Sequence, residues 1–281
     1  MSTANAIKHM KGARNQGATA VDFGGGEPTL REDILELTLA AAKLGYEKIG
    51  IKSNGMLFCY PEYVENLMRA GMNHFTVSIW GHTPAVHDSF SQIEGSFEMM
   101  EMGLKHLVDF GADVEADVLL TNETVPHLKE LLKNFTDIGV RKFRMWLYCL
   151  FGSNYTLPEL MPTLTAAGKA VVETAVAFRD RTDWIYTTHI PCCFLQPYED
   201  IYRNIAQEKL LIITPGGSFP AEMSPFEAGV KTKRCLGCEK YKSCGGVRQE
   251  YIDRFSDRKI RPILPKKKER SSKKVTNSPT A

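Results

Sequence analysis

The chain has 281 residues, 43% of them hydrophobic, with 35 Lys and Arg against 33 Asp and Glu. That is enough to bury the core of one large domain with a small appendage, and no run approaches the roughly 20 apolar residues of a membrane span. Seven cysteines without a secretory leader argue for thiols or metal ligands over a disulfide frame, so a soluble cytoplasmic protein with no membrane partner is expected.

The first informative segment is Val21-Asp22-Phe23-Gly24-Gly25-Gly26-Glu27-Pro28-Thr29, in which an apolar strand ends in three glycines, an acid and a proline. Glycines let a small ligand reach the main chain, and the Glu27 carboxylate could hold an ammonium group beside it. The spacing is not that of a phosphate-binding loop. Thr29 and Glu32 have capping-box spacing, which predicts a helix beginning there. Further strands are expected near residues 48–52, 74–79, 114–120 and 142–148, each followed by chain enough for one helix. Five such units predict an α/β fold with a parallel sheet closed or partly closed into a barrel. Ile34, Leu37, Ala41 and Leu44 form one helical stripe ended by Gly45, and Val125, Leu128, Leu132 and Phe135 another ended by Gly139. Both stripes are core.

In parallel sheets ligands lie at the carboxyl ends of the strands, where Gly25 and Glu27, Ser53 and Asn54, Ser78, and Thr121-Asn122 all fall. After a helix near 163–179 the strand-helix rhythm gives way to short segments rich in Pro, Gly and Cys. Cys235-Leu236-Gly237-Cys238 puts two sulfurs on one tight turn, Cys244 offers a third, and Cys192 or Cys193 a fourth. Iron-sulfur and zinc both suit such a set. Cys59 and Cys149 read as apolar core. Residues 266–274 carry Lys266, Lys267, Lys268, Arg270, Lys273 and Lys274 against Glu269, a solvated basic tail more than a nucleic-acid surface. No hydrolytic triad or His-Glu-x-x-His element stands out.

Gly25-Gly26-Glu27-Pro28, Lys52-Ser53-Asn54-Gly55, Val77-Ser78-Ile79-Trp80-Gly81 and Val86-His87-Asp88, in this order and spacing, resemble the radical S-adenosylmethionine (SAM) enzymes over roughly residues 18–255. The resemblance implies a partial parallel (β/α)6 TIM-like barrel missing its first strand over residues 1–182. It further implies a cysteine-rich region at 183–260, similar to the auxiliary-cluster domain of that family, before a basic disordered tail at 261–281. It implies SAM as cofactor, held by Gly25, Gly26, Glu27, Ser53, Asn54, Ser78 and Asn122. It also implies an auxiliary 4Fe-4S cluster on Cys193, Cys235, Cys238 and Cys244, Cys193 being preferred to Cys192 by likeness to a Pro-x-Cys element. The implied chemistry is reductive cleavage of SAM to a 5′-deoxyadenosyl radical that abstracts hydrogen from a peptide, cofactor precursor or small metabolite. His87 and Asp88 are structural on this reading.

One departure stands against these matches. The family carries a Cys-x3-Cys-x2-Cys loop after its first strand, and no cysteine occurs here before Cys59. The expectation is therefore a chain inactive alone, lacking an amino-terminal segment or working with a partner protein. Two alternatives remain at this point: a non-catalytic barrel scaffold, and an interaction module in which the same cysteines hold structural zinc.

Overall fold

The computed structural model describes residues 1–150, 157–224, 226–227 and 229–265. Six strands, β1 (Ala20–Phe23), β2 (Lys48–Ser53), β3 (His74–Ile79), β4 (Asp113–Leu120), β5 (Lys142–Leu147) and β6 (Trp184–Thr188), form one all-parallel sheet in chain order. Helices α1 (Thr3–Asn15), α2 (Ile34–Lys43), α3 (Pro61–Ala70), α4 (Pro84–Ser91), α5 (Ser96–Asp109), α6 (Leu128–Ile138) and α7 (Leu164–Ala177) accompany it. A short hairpin of β7 (Leu211–Thr214) and β8 (Gly217–Pro220) and a last helix α8 (Gln249–Phe255) belong to the cysteine-rich part.

The expectation of five strands is corrected to six. β6 lies beyond the expected boundary at residue 182, yet it pairs with β5 from Trp184 opposite Lys142 to Thr188 opposite Trp146. Its five residues have no apolar alternation and run straight into a Pro-Cys-Cys segment, which masks the strand in sequence. The capping box is also corrected: α2 begins at Ile34 with Asp33 as its cap position, because the Thr29 hydroxyl is taken by Glu27 (2.6 Å) and Pro28–Leu30 forms one tight turn. Residues 261–265, expected to open the tail, pack on the protein instead. Ile263 is buried and its carbonyl accepts from the Glu239 N–H. Residues 266–281 lie outside the described residues.

The strands alternate sharply between two faces. Ile49, Ile51, Phe75, Val77, Ile79, Val114, Ala116, Val118, Phe143 and Met145 face the helices and are buried with their stripes. The stripes are core, with Ile34, Leu37 and Ala41 buried on α2 and Leu44 half-buried just past its end, and with Leu128, Leu132 and Phe135 buried on α6 and Val125 buried in the turn before it; α6 ends at Gly139 with φ 111°. On a flat sheet β2 and β5 would stand about 14 Å apart, at about 4.8 Å per strand. Lys52 of β2 nevertheless lies 4.4 Å from the Trp146 ring of β5, so the sheet curls into a partial barrel with these residues inside.

Candidate functional site

At the carboxyl end of β1 the chain turns through Gly25 (φ 80°) and Gly26 (φ 66°), left-handed positions that favour glycine. The space where a side chain would sit is open at both, so no side chain screens these peptide groups. Glu27 ties this turn to the next strand. Its Oε1 accepts from the Thr29 N–H (3.0 Å), the Thr29 hydroxyl (2.6 Å) and the Ser53 hydroxyl (2.8 Å), while Oε2 accepts from the Asn54 N–H (2.8 Å). Accepting only the Asn54 N–H among the described residues, Oε2 keeps capacity for an ammonium donor. Ser53 is buried on the helix-facing side, and its oxygen also accepts from the Gly55 N–H (3.0 Å), so it acts by holding Glu27. Ser78 is half-buried on the inner face, opposite Asp117. Asn122 is turned elsewhere: its amide donates to the carbonyls of Glu159 (2.5 Å) and Met161 (3.2 Å), pinning the chain before α7.

His87 and Asp88 are structural. The buried His87 Nδ1 accepts the Trp80 N–H (3.3 Å), and Asp88 accepts from the Gly95 and Phe97 N–H groups and the Ser96 hydroxyl at the start of α5.

Inside the barrel lies a charged layer that sequence reasoning largely missed. Arg144 grips Asp117 with two bonds (2.9 and 3.0 Å), Lys52 pairs with the same carboxylate, and Arg144 also reaches Glu115 (3.2 Å). The Tyr186 hydroxyl donates to Glu115 (3.2 Å), and Lys52 and Arg144 both lie over the Trp146 ring. Burial alone would raise the Asp117 carboxyl, but the two cations hold it below the usual range. Arg144 and Trp146 alternate along β5. The same period-two signal marks Lys52, Glu115 and Asp117, charges at every second position of otherwise apolar strands.

Above this layer, at the ends of β5 and β6, three buried polar atoms have no hydrogen-bond partner among the described residues: Trp146 Nε1, Thr188 Oγ1 and His189 Nδ1. Thr188 stands opposite Trp146, and the His189 ring is 5.2 Å from the indole, with its Nε2 on Glu227 (3.0 Å). Buried polar atoms left unpaired are costly and mark a place that a ligand or water completes.

Directly after His189 the chain reaches Cys192 and Cys193. A pocket gathers Cys192, Cys193, Cys235, Cys238 and Cys244 beside Lys231. Gly237 (φ 79°) makes the tight turn between Cys235 and Cys238, and the Gly246 N–H points at the Cys244 sulfur (3.4 Å). The Cys192 thiol hydrogen-bonds Cys244, which pulls Cys244 down to about 6 and pushes Cys192 up. Burial raises Cys193 to about 11, with Cys244, Cys235 and Cys238 all near enough to add to the shift. Cys149 is buried and Cys59 half-buried, both outside this group.

Residues 1–135 match the family model described as Radical SAM superfamily. This segment is a radical SAM domain. Among its relatives, an AdoMet-dependent heme synthase of Oleidesulfovibrio alaskensis is 27% identical over 228 residues, 79% of this chain and 53% of that protein. A probable GTP 3′,8-cyclase of Saccharolobus solfataricus is 34% identical over 103 residues, 36% of this chain and 32% of that protein. Streptococcus suis SuiB bound to precursor peptide SuiA shares the fold, with TM-score 0.56 and 17% identity over 72% of this chain and 45% of its own. The chain spans about half the length of the heme synthases it matches. The radical SAM relatives are enzymes, and the partial barrel expected from the strand-helix repeats is the fold they share.

Proposed function

We propose that this chain provides the SAM-binding rim, the substrate chamber and an auxiliary iron-sulfur site of a radical SAM enzyme acting on a cofactor precursor or peptide. The observation that carries the reading is the convergence of five cysteines in one pocket that begins three residues past the end of β6, on the rim that also carries the Gly25-Gly26-Glu27 turn.

The rim residues fit SAM. The open peptides at Gly25 and Gly26 admit the methionyl part, and Glu27 Oε2 would accept its ammonium group while Thr29, Ser53 and the Asn54 N–H keep the carboxylate aimed. Ser78 lines the chamber beside Asp117, and Asn122 contributes by fixing residues 159–161. When bound, the cofactor supplies the hydrogen-abstracting chemistry of the superfamily. The Cys-x3-Cys-x2-Cys loop that holds the radical-forming cluster in the superfamily does not occur among the 281 residues, whose first cysteine is Cys59.

The pocket's residues fit a multi-iron cluster better than one zinc ion. Four thiolates at 2.3 Å around a tetrahedral zinc stand about 3.8 Å from one another. Among the described residues, no three cysteine sulfurs lie within 4.8 Å of each other, whereas a cluster holds its thiolates further apart. Cys193, near Cys235, Cys238 and Cys244 together, is the preferred fourth ligand, and Cys192 donates to the Cys244 sulfur from beside it.

The alignment with heme synthases runs beyond the radical SAM segment into the cysteine-rich part, which supports a cofactor precursor, and the SuiB likeness supports a peptide. The unpaired Trp146, Thr188 and His189 atoms lie where either would dock.

Saturation-transfer NMR with SAM tests the rim assignment at low affinity. Transfer to the methionyl protons is expected for the native chain and not for Glu27→Lys, and an unchanged transfer in that variant would overturn the assignment. Reconstituted and reduced, the 281-residue chain alone should release no 5′-deoxyadenosine.

A further inference from the structure

A second cluster of metal-competent side chains lies beyond the ends of β3 and β4, whereas the cysteine pocket begins beyond β6. His82 sits in the loop after β3, His127 at the turn leading into α6, and Glu130 in the first turn of that helix. One ligand atom from each can be chosen so that all three lie within 4.8 Å of one another. The two imidazole rings stack with centroids 4.1 Å apart and planes 11° from parallel, and His127 Nδ1 is 3.4 Å from Glu130 Oε2. His82 is only 8% exposed, and its Nδ1 has no hydrogen-bond partner.

Each feature alone has an ordinary explanation, but together they do not. Two imidazoles face to face repel when protonated, and a buried ring nitrogen without a partner is costly. One cation shared by a nitrogen of each ring and the carboxylate removes both penalties once the exposed His127 ring turns out of the stack, because an imidazole ligates in its own plane. Ligands at about 2.1 Å from a tetrahedral ion stand roughly 3.4 Å apart, so the group needs to contract by about 1 to 1.5 Å at most and the His127 ring to rotate until its nitrogen points at the ion. His127 and Glu130 are half-exposed and free to make that movement.

We propose that His82, His127 and Glu130 form a binding site for a first-row divalent ion of the zinc class, separate from the cysteine pocket. Two nitrogens and one carboxylate suit zinc, cobalt or nickel and disfavour magnesium or calcium, which take all-oxygen sets. A fourth position stays open to water or a substrate group. The ion would clamp the loop after β3 to the start of α6, fixing two neighbouring loops of the rim. This inference stands independently of the radical reading, because none of its residues serves the SAM or cysteine sites.

The test is cobalt titration of the full chain, with bound equivalents counted and the visible spectrum recorded. Cobalt held by cysteines shows sulfur-to-metal charge transfer, and cobalt on imidazole and carboxylate does not, so the two sites are read separately. The native chain should take up one equivalent without sulfur charge transfer. His127→Ala should lose that equivalent and Glu130→Gln should weaken it at least tenfold, both with the cysteine-bound signal unchanged. Since both side chains are half-exposed, neither variant should disturb the fold, and circular dichroism checks this. Absence of the sulfur-free equivalent in the native chain, or its persistence at full strength in His127→Ala, would overturn the proposal.

Discussion

Glu27 organises the rim because four donors from two strand ends converge on one carboxylate. Glu27→Gln exchanges an acceptor for an N–H donor facing those donors, and should cost about 1–2 kcal/mol in urea unfolding. Arg144 matters more for stability. Arg144→Met leaves Asp117 buried with Lys52 as its one remaining cation, an expected loss of about 3 kcal/mol by the same measurement. His87 sets a pH dependence. Burial lowers its pKa to about 4, against roughly 6.5 when unfolded, so the folded chain binds fewer protons between these values. Its contribution, roughly 3 kcal/mol, is complete above about pH 6.5 and is lost as pH falls toward 4. Urea unfolding across that window should show the slope, and His87→Gln, whose carbonyl can accept the same Trp80 N–H, should flatten it. At this scale the glycine turn, Glu27 and the cysteines were legible because their spacing is local. Ser53 as a support, and Asn122 as a tie to residues 159–161, were not, since each depends on a partner 26 to 39 residues away.

Helices announce themselves through 3.6-residue stripes and terminal glycines, and α2 and α6 were readable for that reason. β6 was hidden because it has neither alternation nor a following helix, and only pairing with β5 defines it. Helix α7 shows how an element outside the site shapes it. A side chain at Gly168 would meet the Phe194 carbonyl at 2.4 Å, in the turn that carries Cys192 and Cys193. Gly168→Ala gains helix propensity yet must push that turn away. Lower thermal stability and reduced metal content per chain are expected together. A variant with full metal content would show that the turn is free to move.

For the whole molecule, the barrel wall has two ends. Among the described residues no strand pairs with the outer edge of β1, a four-residue strand of alternating exposure. An open parallel edge invites pairing with another chain, so sedimentation velocity should reveal concentration-dependent association, and a monomer at all concentrations would contradict this. The barrel class was legible from five strand-helix repeats, whereas the charged chamber needed the curl of the sheet to bring Lys52, Asp117, Arg144 and Trp146 together. Iron and sulfide are the proposed occupants of the cysteine pocket beside this chamber. The most direct test is iron, zinc and acid-labile sulfide analysis with a visible spectrum on anaerobically purified chain. Iron and sulfide in near-equal amounts with broad visible absorption are expected, abolished by Cys235→Ala with Cys238→Ala. A colourless protein whose cysteine pocket holds one zinc ion would contradict it.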